Sequence, residues 1–294
     1  MNSKQKKATF FALLAAVLYA ISSPFSKLLL NEIPEVMMAA FLYLGAGTGI
    51  FIAGFIRRLT EKKEKEQPLT RKELPFTVGM VALDIAAPIF LMIGLTMTTA
   101  ANASLLNNFE IVATSVIALV VFKEAISKRL WLAIAFVTVS SIILSFEDMS
   151  SLSFSYGSIF VILACVCWGF ENNCTRMLSS KNPLEIVVIK GFGSGLGSLA
   201  FSLALGEEIP NILYIVCALL LGFVAYGLSI YFYIYAQRDL GAAKTSTYYA
   251  VAPFVGAGLS LLIFRELPSI SFIIALVIMM IGTFLASSDT KKDA

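Results

Sequence analysis

Residues 162–180 read ILACVCWGFENNCTRMLSS, an apolar run that places Glu171, Asn172 and Asn173 in direct succession. An ionisable side chain at the centre of a membrane helix costs about 2.5–3.5 kcal/mol, so it normally faces partners or water. The stretch is therefore typical of a membrane helix that carries a polar site.

Composition places the whole chain in the membrane. The chain has 294 residues, of which 58% are hydrophobic and 14% are charged. A soluble domain needs far more charge to cover its surface. A bilayer span needs about 20 mostly apolar residues. The sequence contains ten such runs, at about 8–30, 34–56, 75–97, 100–122, 129–146, 156–178, 183–205, 211–236, 241–264 and 268–287. We number them spans 1 to 10, and they predict an all-α integral membrane protein.

Several classes of site lack their usual residues. The chain has no histidine, the usual ligand of haem and of the common zinc sites. Cys165, Cys167, Cys174 and Cys217 all lie inside apolar runs. The Cys165–Cys167 pair admits a redox or metal role, but buried core thiols are favoured. No glycine-rich P-loop and no basic soluble surface for nucleic acid are visible. We expect no cofactor, no metal and no nucleic-acid partner.

Two segments of the chain recur in order. Residues 18–36 align without a gap on residues 167–185, and residues 100–124 align on residues 242–266. The second match ends in Phe-Lys-Glu on Phe-Arg-Glu. The ordered pair of matches predicts two five-helix repeats.

The repeat also decides how the amino terminus is interpreted. Its basic start and apolar middle are typical of a cleavable signal peptide. Because the segment has a counterpart in mid-chain, we expect it to be retained as span 1. The expected division is residues 1–150 for the first repeat and residues 151–294 for the second.

Basic residues predict the orientation in the membrane. With the amino terminus in the cytoplasm, nearly all lysines and arginines fall in the two terminal segments and in every second loop. The exceptions are Lys27, Lys190 and Arg265. Five spans per repeat is an odd number, so the second repeat is inserted upside down. We expect both termini on the cytoplasmic side of the cytoplasmic membrane.

The motifs resemble a known family. TAANASLL opens span 4, and LGAAKTSTYYAVAPFVGAGLSLLIFRE runs through span 9. Together with the ten spans in two repeats, they resemble the EamA branch of the drug/metabolite transporter superfamily. The resemblance implies a secondary transporter, often an exporter of amino acids or other small metabolites. It also implies a central cavity lined mainly by spans 1, 3, 4, 6, 8 and 9. The sequence departs from the family at Ile111, where a proline is common in span 4 as Pro253 is in span 9.

Four ionisable residues lie well inside spans: Asp84, Glu110, Glu171 and Lys190. Glu171 and Lys190 lie at matched depth, which predicts an ion pair that either fastens two helices or takes part in substrate binding. Glu110 has no obvious partner at its depth except substrate, a proton or Asp84. We expect Glu110 and Asp84 to bind substrate or couple transport to protons.

Asn172 and Asn173 occupy successive helical positions and do not share a face. We expect one to bond a neighbouring helix and the other, Asn172 in our assignment, to reach the substrate cavity.

Aromatic residues supply further candidate contacts. Tyr19, Trp168, Tyr226, Tyr248 and Tyr249 lie on spans that the resemblance assigns to the cavity wall. An aromatic face attracts an ammonium, and a phenol bonds a carboxylate. Interfacial belts and ordinary packing are the alternatives.

Glycines and prolines have structural interpretations. The glycines of residues 45–49 and 191–198 occupy matching places in spans 2 and 7, where small residues allow close helix approach. Pro24, Pro88 and Pro253 remove backbone hydrogen bonds within spans and are candidate kinks.

Together these features predict a secondary active transporter. The balance of three buried acids to one lysine favours a small cationic or zwitterionic solute of the amino-acid or amine type. We expect alternating access and export, with proton coupling left open. A facilitator or channel-like permease is the alternative, and a membrane-embedded enzyme is disfavoured because no convergent catalytic set is visible. The expected partners are the small-molecule substrate and the lipid bilayer, with a monomer and a homodimer both open.

Overall fold

The structure is a computed structural model, and it describes residues 3–60, 67–123, 126–148, 153–178, 181–240, 245 and 248–289. Its helices are α1 Ser3–Ala20, α2 Ser22–Leu29, α3 Glu35–Thr60, α4 Leu74–Met97, α5 Ala100–Leu106, α6 Phe109–Phe122, α7 Lys128–Leu144, α8 Tyr156–Leu178, α9 Pro183–Ala204, α10 Ile212–Leu221, α11 Ser229–Leu240, α12 Ala252–Phe264 and α13 Ile270–Asp289. A 3₁₀ turn, Arg71–Glu73, precedes α4, and a π-helical segment, Gly222–Leu228, joins α10 to α11.

Seven helical segments in the described part of the chain are long and apolar enough to cross a membrane: Lys4–Leu29, Glu35–Ile56, Arg71–Met97, Ala100–Val121, Tyr156–Leu178, Pro183–Ala204 and Ile212–Tyr233. Two shorter apolar helices, Ala252–Phe264 and Ile270–Ala286, lie on predicted spans 9 and 10. The helical membrane architecture is thus supported, while the count of ten spans stays a prediction. Residues 61–66 and 290–294 and Lys244, which contribute to the expected orientation, lie outside the described residues.

A short β-ribbon departs from the expected all-α structure. Strand β1, Phe146–Asp148, pairs antiparallel with β2, Ser153–Phe154. The ribbon lies in the loop between spans 5 and 6. Its two strands satisfy their backbone hydrogen-bonding groups by pairing with each other.

Helices of the two halves pair with one another. Extensive pairs include α4 with α8, α3 with α9, α7 with α13, α1 with α11, α6 with α8 and α5 with α12. Spans 2, 4 and 5 therefore contact their own counterparts, spans 7, 9 and 10. Span 1 contacts span 8, and their counterparts, spans 6 and 3, contact each other in the same way. The packing is thus symmetric under exchange of the two repeats.

The predicted role of the glycines in close packing is confirmed where α3 meets α9. A β-carbon placed on Gly191 would lie 2.4 Å from the Gly47 Cα, so no larger residue fits there. Further along, a β-carbon on Gly54 would lie 3.8 Å from Leu184. Residue numbers rise along α3 while they fall along α9, so the two helices run antiparallel.

The counterparts α7 and α13 are antiparallel as well. The Ser140 hydroxyl donates a hydrogen bond to the Ala275 carbonyl at 2.6 Å. A β-carbon on Gly282 would lie 2.9 Å from Val137. Two pairs of matching helices therefore run in opposite directions.

The three prolines act differently from one another. Span 1 breaks at Ile21, between α1 and α2, because Pro24 has no amide to donate to the Ala20 carbonyl. Pro88 lies inside α4, which continues through it. Pro253 is among the first residues of α12, directly after a turn at residues 250–251 that interrupts span 9. Proline fits the first helical turn, where amides lack partners in any case.

Span 4 is interrupted although it lacks the proline. Between α5 and α6 the amide of Asn108 bonds the Leu105 carbonyl at 3.2 Å, and the amide of Glu110 bonds the Asn107 carbonyl at 3.1 Å. These three-residue steps tighten the helix into 3₁₀ geometry. Span 4 is therefore not a continuous helix, although it has isoleucine instead of proline at position 111. Glu110 lies in the first turn of α6.

The aligned repeats end in the same unusual conformation. Lys123 closes α6 with φ 60°, and Arg265 closes α12 with φ 54°. Positive φ is uncommon outside glycine. The two residues are counterparts in the sequence alignment, so the structure repeats at the same place as the sequence.

Candidate functional site

One lysine holds two buried carboxylates between α4, α8 and α9. Lys190 Nζ lies 3.1 Å from Asp84 Oδ2 and 3.1 Å from Glu171 Oε1. Asp84 is fully buried and Glu171 is 2% exposed, whereas the Lys190 side chain keeps 14% of its surface exposed. The predicted Glu171–Lys190 pair is present. Asp84 is a third member that matched depth did not reveal. We call these three residues the ion cluster.

Hydroxyl and indole groups hold the ion cluster in place. The Tyr43 hydroxyl donates to Asp84 Oδ1 at 2.9 Å, and Trp168 Nε1 donates to the Tyr43 hydroxyl at 3.5 Å. The Thr175 hydroxyl donates to Glu171 Oε1. Sequence reasoning missed Tyr43. Its signal was a phenol in the middle of the apolar span 2, where burial requires a hydrogen-bond partner.

Glu110 has a partner that was not foreseen. Asn172 Nδ2 donates to Glu110 Oε1 at 2.6 Å. The interrupted helix also places Glu110 in the first turn of α6, near the positive end of the helix dipole. The expectation that only substrate, a proton or Asp84 could partner Glu110 was therefore wrong.

Both asparagines of α8 reach the same neighbouring helix. Asn172 Nδ2 also lies 3.4 Å from Thr114 Oγ1, and Asn173 Nδ2 donates to the Thr114 carbonyl at 3.1 Å. Asn173 thus bonds a neighbouring helix as expected, and Asn172 bonds the same helix at the candidate site residue Glu110, while its contact with substrate stays a prediction. The helices approach closely at Gly169, where a β-carbon would lie 2.7 Å from the Ala113 β-carbon. At that distance two successive positions of α8 both contact α6.

Four of the five predicted aromatic residues adjoin the ion cluster. Trp168 bonds Tyr43, as described above. The ring of Tyr226 lies 5.5 Å from that of Tyr43 and 5.8 Å from that of Tyr19, and Tyr19 lies 5.8 Å from Tyr249. These tyrosines form a continuous row of rings that starts at the carboxylate of Asp84.

Hydroxyl groups from other helices anchor this row. The Ser22 hydroxyl donates to the Tyr226 hydroxyl at 3.2 Å, and the Ser229 and Tyr249 hydroxyls lie 3.3 Å apart. Tyr226 lies in the π-helical segment, a geometry common at functional sites. Tyr248 is half-buried, and it makes no ring contact or hydrogen bond with the described residues. The structure therefore does not bring Tyr248 into the row.

The four cysteines differ in their exposure. Of the pair expected to be core thiols, Cys165 is buried and Cys167 is half-buried. Cys174 is half-buried, and Cys217 is exposed. Cys217 lies on α10, which is apolar on all sides, so the sequence does not distinguish its outer face from its inner face.

Comparison with known proteins decides the family. The model of the EamA-like transporter family matches the chain twice, at residues 6–146 and 155–288. The chain belongs to the EamA-like transporter family. The resemblance drawn from TAANASLL and the span 9 motif is confirmed.

Two relatives of this EamA protein are described as uncharacterized transporters. One, from Methanothermobacter thermautotrophicus, is 25% identical over 291 residues and covers 92% of this chain and 83% of its own. The other, from Clostridium kluyveri, is 25% identical over 314 residues, 98% of this chain and 95% of its own. A solved protein structure with 15% identity matches 98% of each chain at a TM-score of 0.67, which supports the fold. The protein is thus a multi-pass membrane transporter.

Charge is unevenly compensated inside this EamA protein. Lys190 serves two carboxylates of the ion cluster, whereas Glu110 makes no ion pair with any described residue and accepts only from the neutral Asn172. Glu110 lies within Coulombic range of Glu171 and Lys190, so its charge is linked to that of the ion cluster. Asp84, Glu110 and Glu171 together thus outnumber Lys190, so the described site holds more acid than base.

Proposed function

We propose that this EamA protein is a secondary active transporter that exports a small cationic or zwitterionic metabolite of the amino-acid or amine type. Transport across the cytoplasmic membrane proceeds by alternating access, with protons as the coupling ion. One observation carries the proposal. Among the described residues, the half-buried Glu110 carboxylate has only a neutral hydrogen-bond donor, while Lys190 is already occupied by two other carboxylates.

The packing supports alternating access. Helices α3 and α9, and likewise α7 and α13, are counterparts that run antiparallel, as expected for inverted repeats within 1–150 and 151–294. Inverted repeats with a site at their interface allow one half to rock against the other around a fixed substrate. The basic residues favour both termini on the cytoplasmic side.

The ion cluster supports a coupled exchange of cations. A substrate ammonium or a proton that reaches Asp84 competes with Lys190 for the same carboxylate. The buried site is least costly when its charges are balanced, so proton release and cation binding are linked. The row of tyrosines offers aromatic faces to the same ammonium.

A screen followed by a transport assay tests the proposal. Thermal shifts of the purified protein with amino acids, polyamines, quaternary amines and nucleobases identify a solute. Its uptake is then measured in proteoliposomes under an imposed pH gradient. Glu110→Gln keeps the shape of the side chain and removes its charge, so we expect gradient-driven uptake to be abolished while the protein stays folded and monodisperse. Glu32→Gln, the same change at an exposed residue, is the matched control.

Transport by the Gln variant at the wild-type rate with unchanged pH dependence would assign Glu110 to packing, and Asp84 would become the better candidate. A facilitator is the second candidate, because the ion cluster is internally paired without any proton. For a facilitator, solute counterflow persists and an imposed pH gradient drives no accumulation.

A further inference from the structure

An open cavity lies where several helix ends meet. Its volume is about 530 Å³, between the ends of α2, α4, α7 and α12 and the starts of α5 and α13. Ligand pockets for small molecules commonly measure about 300–1,000 Å³, so an amino acid fits. We call the ion cluster, Glu110 and the row of tyrosines together the buried site. Lys27 lines the cavity five residues beyond Ser22, which bonds Tyr226 in the buried site. At 1.5 Å per helical residue the two levels are about 7.5 Å apart. We call it the Lys27 cavity.

The ammonium of Lys27 is fixed in the cavity wall. Lys27 Nζ donates to the Leu95 carbonyl and, at 3.0 Å, to the Thr98 carbonyl at the carboxyl end of α4. An ammonium has three donors. The carbonyls take two of them, and the third remains for a ligand. A lysine held in this way needs little reorganisation to bind a carboxylate.

An exposed acid belongs to the wall of the same cavity. Glu266 lines the cavity, directly after the left-handed Arg265 that closes α12. It lies within Coulombic range of Lys27, but no ion pair joins it to any residue that the structure describes. Apolar side chains lie in the same wall, among them Ile143, Leu261 and Phe272. The cavity thus has a positive end, a negative end and an apolar surface.

We infer that the Lys27 cavity is a second binding site, for a small zwitterion. Lys27 binds the carboxylate of the ligand, Glu266 binds its ammonium, and the apolar wall takes an aliphatic or aromatic side chain. The site requires both charges of the ligand, whereas the buried site responds mainly to the cation. Its role as a stop on the path of the transported solute rests on the proposed function, but its ability to bind does not.

Buried hydroxyls lie between the two sites. Ser26 and Ser104 are 0% and 2% exposed, and neither hydroxyl has a hydrogen-bond partner among the described residues. Ser26 lies on α2 between Lys27 and Ser22, and Ser104 lies on α5 between Asn102 of the cavity and Glu110.

Binding to the purified full-length chain tests the inference. The first probes are the twenty proteinogenic amino acids. Two analogues of leucine follow: isoamylamine, which lacks the carboxylate, and N-acetylleucine, which lacks the ammonium. All are titrated by calorimetry into the Glu110→Gln variant, so that the buried site is already impaired. We expect at least one amino acid to bind with a stoichiometry of one. For leucine-type ligands we expect at least tenfold weaker binding of both analogues.

Variants assign the binding to the cavity. Lys27→Met and Glu266→Gln should each weaken binding at least tenfold, whereas Glu32→Gln should not. If Lys27→Met does not fold, Lys27→Arg replaces it and should keep binding, while Glu266→Gln still tests the other end. The four native cysteines are replaced by alanine and one cysteine is introduced at the exposed Leu267 on the rim. This cysteine should react more slowly with a maleimide when the bound amino acid is present.

The outcomes separate this inference from the proposed function. Binding that depends on Lys27 and Glu266 supports the cavity site even if no solute is transported. Failure of every amino acid to bind, or binding indifferent to both residues, overturns the inference. Proton-driven transport through Glu110 would remain a valid function in that case.

Discussion

Replacing Lys190 with methionine removes the ammonium that Asp84 and Glu171 share. Each carboxylate oxygen lies 3.1 Å from Lys190 Nζ. At an effective dielectric constant of about 20, one such contact is worth about 5 kcal/mol of Coulomb energy. Desolvation offsets much of it, and removing one partner of a buried pair costs about 3–5 kcal/mol. For a chain of this size we expect the unfolding midpoint to fall by on the order of 10 °C.

The ion cluster predicts how this loss is recovered. The double variant Lys190→Met/Glu171→Gln leaves one unpaired carboxylate instead of two, so it should be more stable than the single variant. Adding Asp84→Asn leaves none, and most of the lost stability should return. Thermal unfolding in one detergent, followed by tryptophan fluorescence, measures the series. Lys128→Met, the same change at an exposed position, is the control. Losses that simply add from one variant to the next would refute the shared ion pair.

Three further predictions address other parts of the molecule. Cysteine labelling in intact cells should place both termini and the loop at residues 57–75 in the cytoplasm, and an external carboxyl terminus would contradict the inverted repeat. Gly191→Leu should prevent recovery of monodisperse protein, since its β-carbon has no room, whereas Gly258→Leu, which has open space, should be tolerated. Asn172→Ala should lower the free energy of unfolding by about 1.5–3 kcal/mol and alter the pH profile of uptake through Glu110, and an unchanged profile would contradict their hydrogen bond.

The sequence predicted where the helices lie better than which way they face. Apolar length alone located the long spans, because the bilayer sets that length. The Glu171–Lys190 contact was predictable because depth along a helix can be counted from its ends. Asp84 was missed as a partner, since helices that are apolar all round give no signal of their orientation.

Local backbone geometry was the other limit. No proline in the sequence indicates the 3₁₀ turn before Glu110 or the π-helical segment that contains Tyr226. Asn107 and Asn108 are the one cue in span 4, because short amide side chains compete with the helical backbone. The contact of Asn172 with Glu110 depends on that turn, and so it could not be predicted from spacing alone.

The symmetry of the fold and the asymmetry of the site together explain how a charge can drive the transporter. In the first alignment Glu171 falls on Ser22, and the second alignment, extended back without a gap, places Asp84 on Tyr226. Both counterpart pairs are connected in the structure: Lys190 joins the two acids, and Ser22 donates directly to Tyr226 at 3.2 Å. Matching places in the two repeats therefore carry an ionic pair and a neutral pair. Under the alternating access that we propose, an exchange of conformations between the halves would nearly restore the backbone arrangement but not the charges. The energy difference between the two states would then depend on the charges of the acids, so binding a cation or a proton there would shift the equilibrium between them.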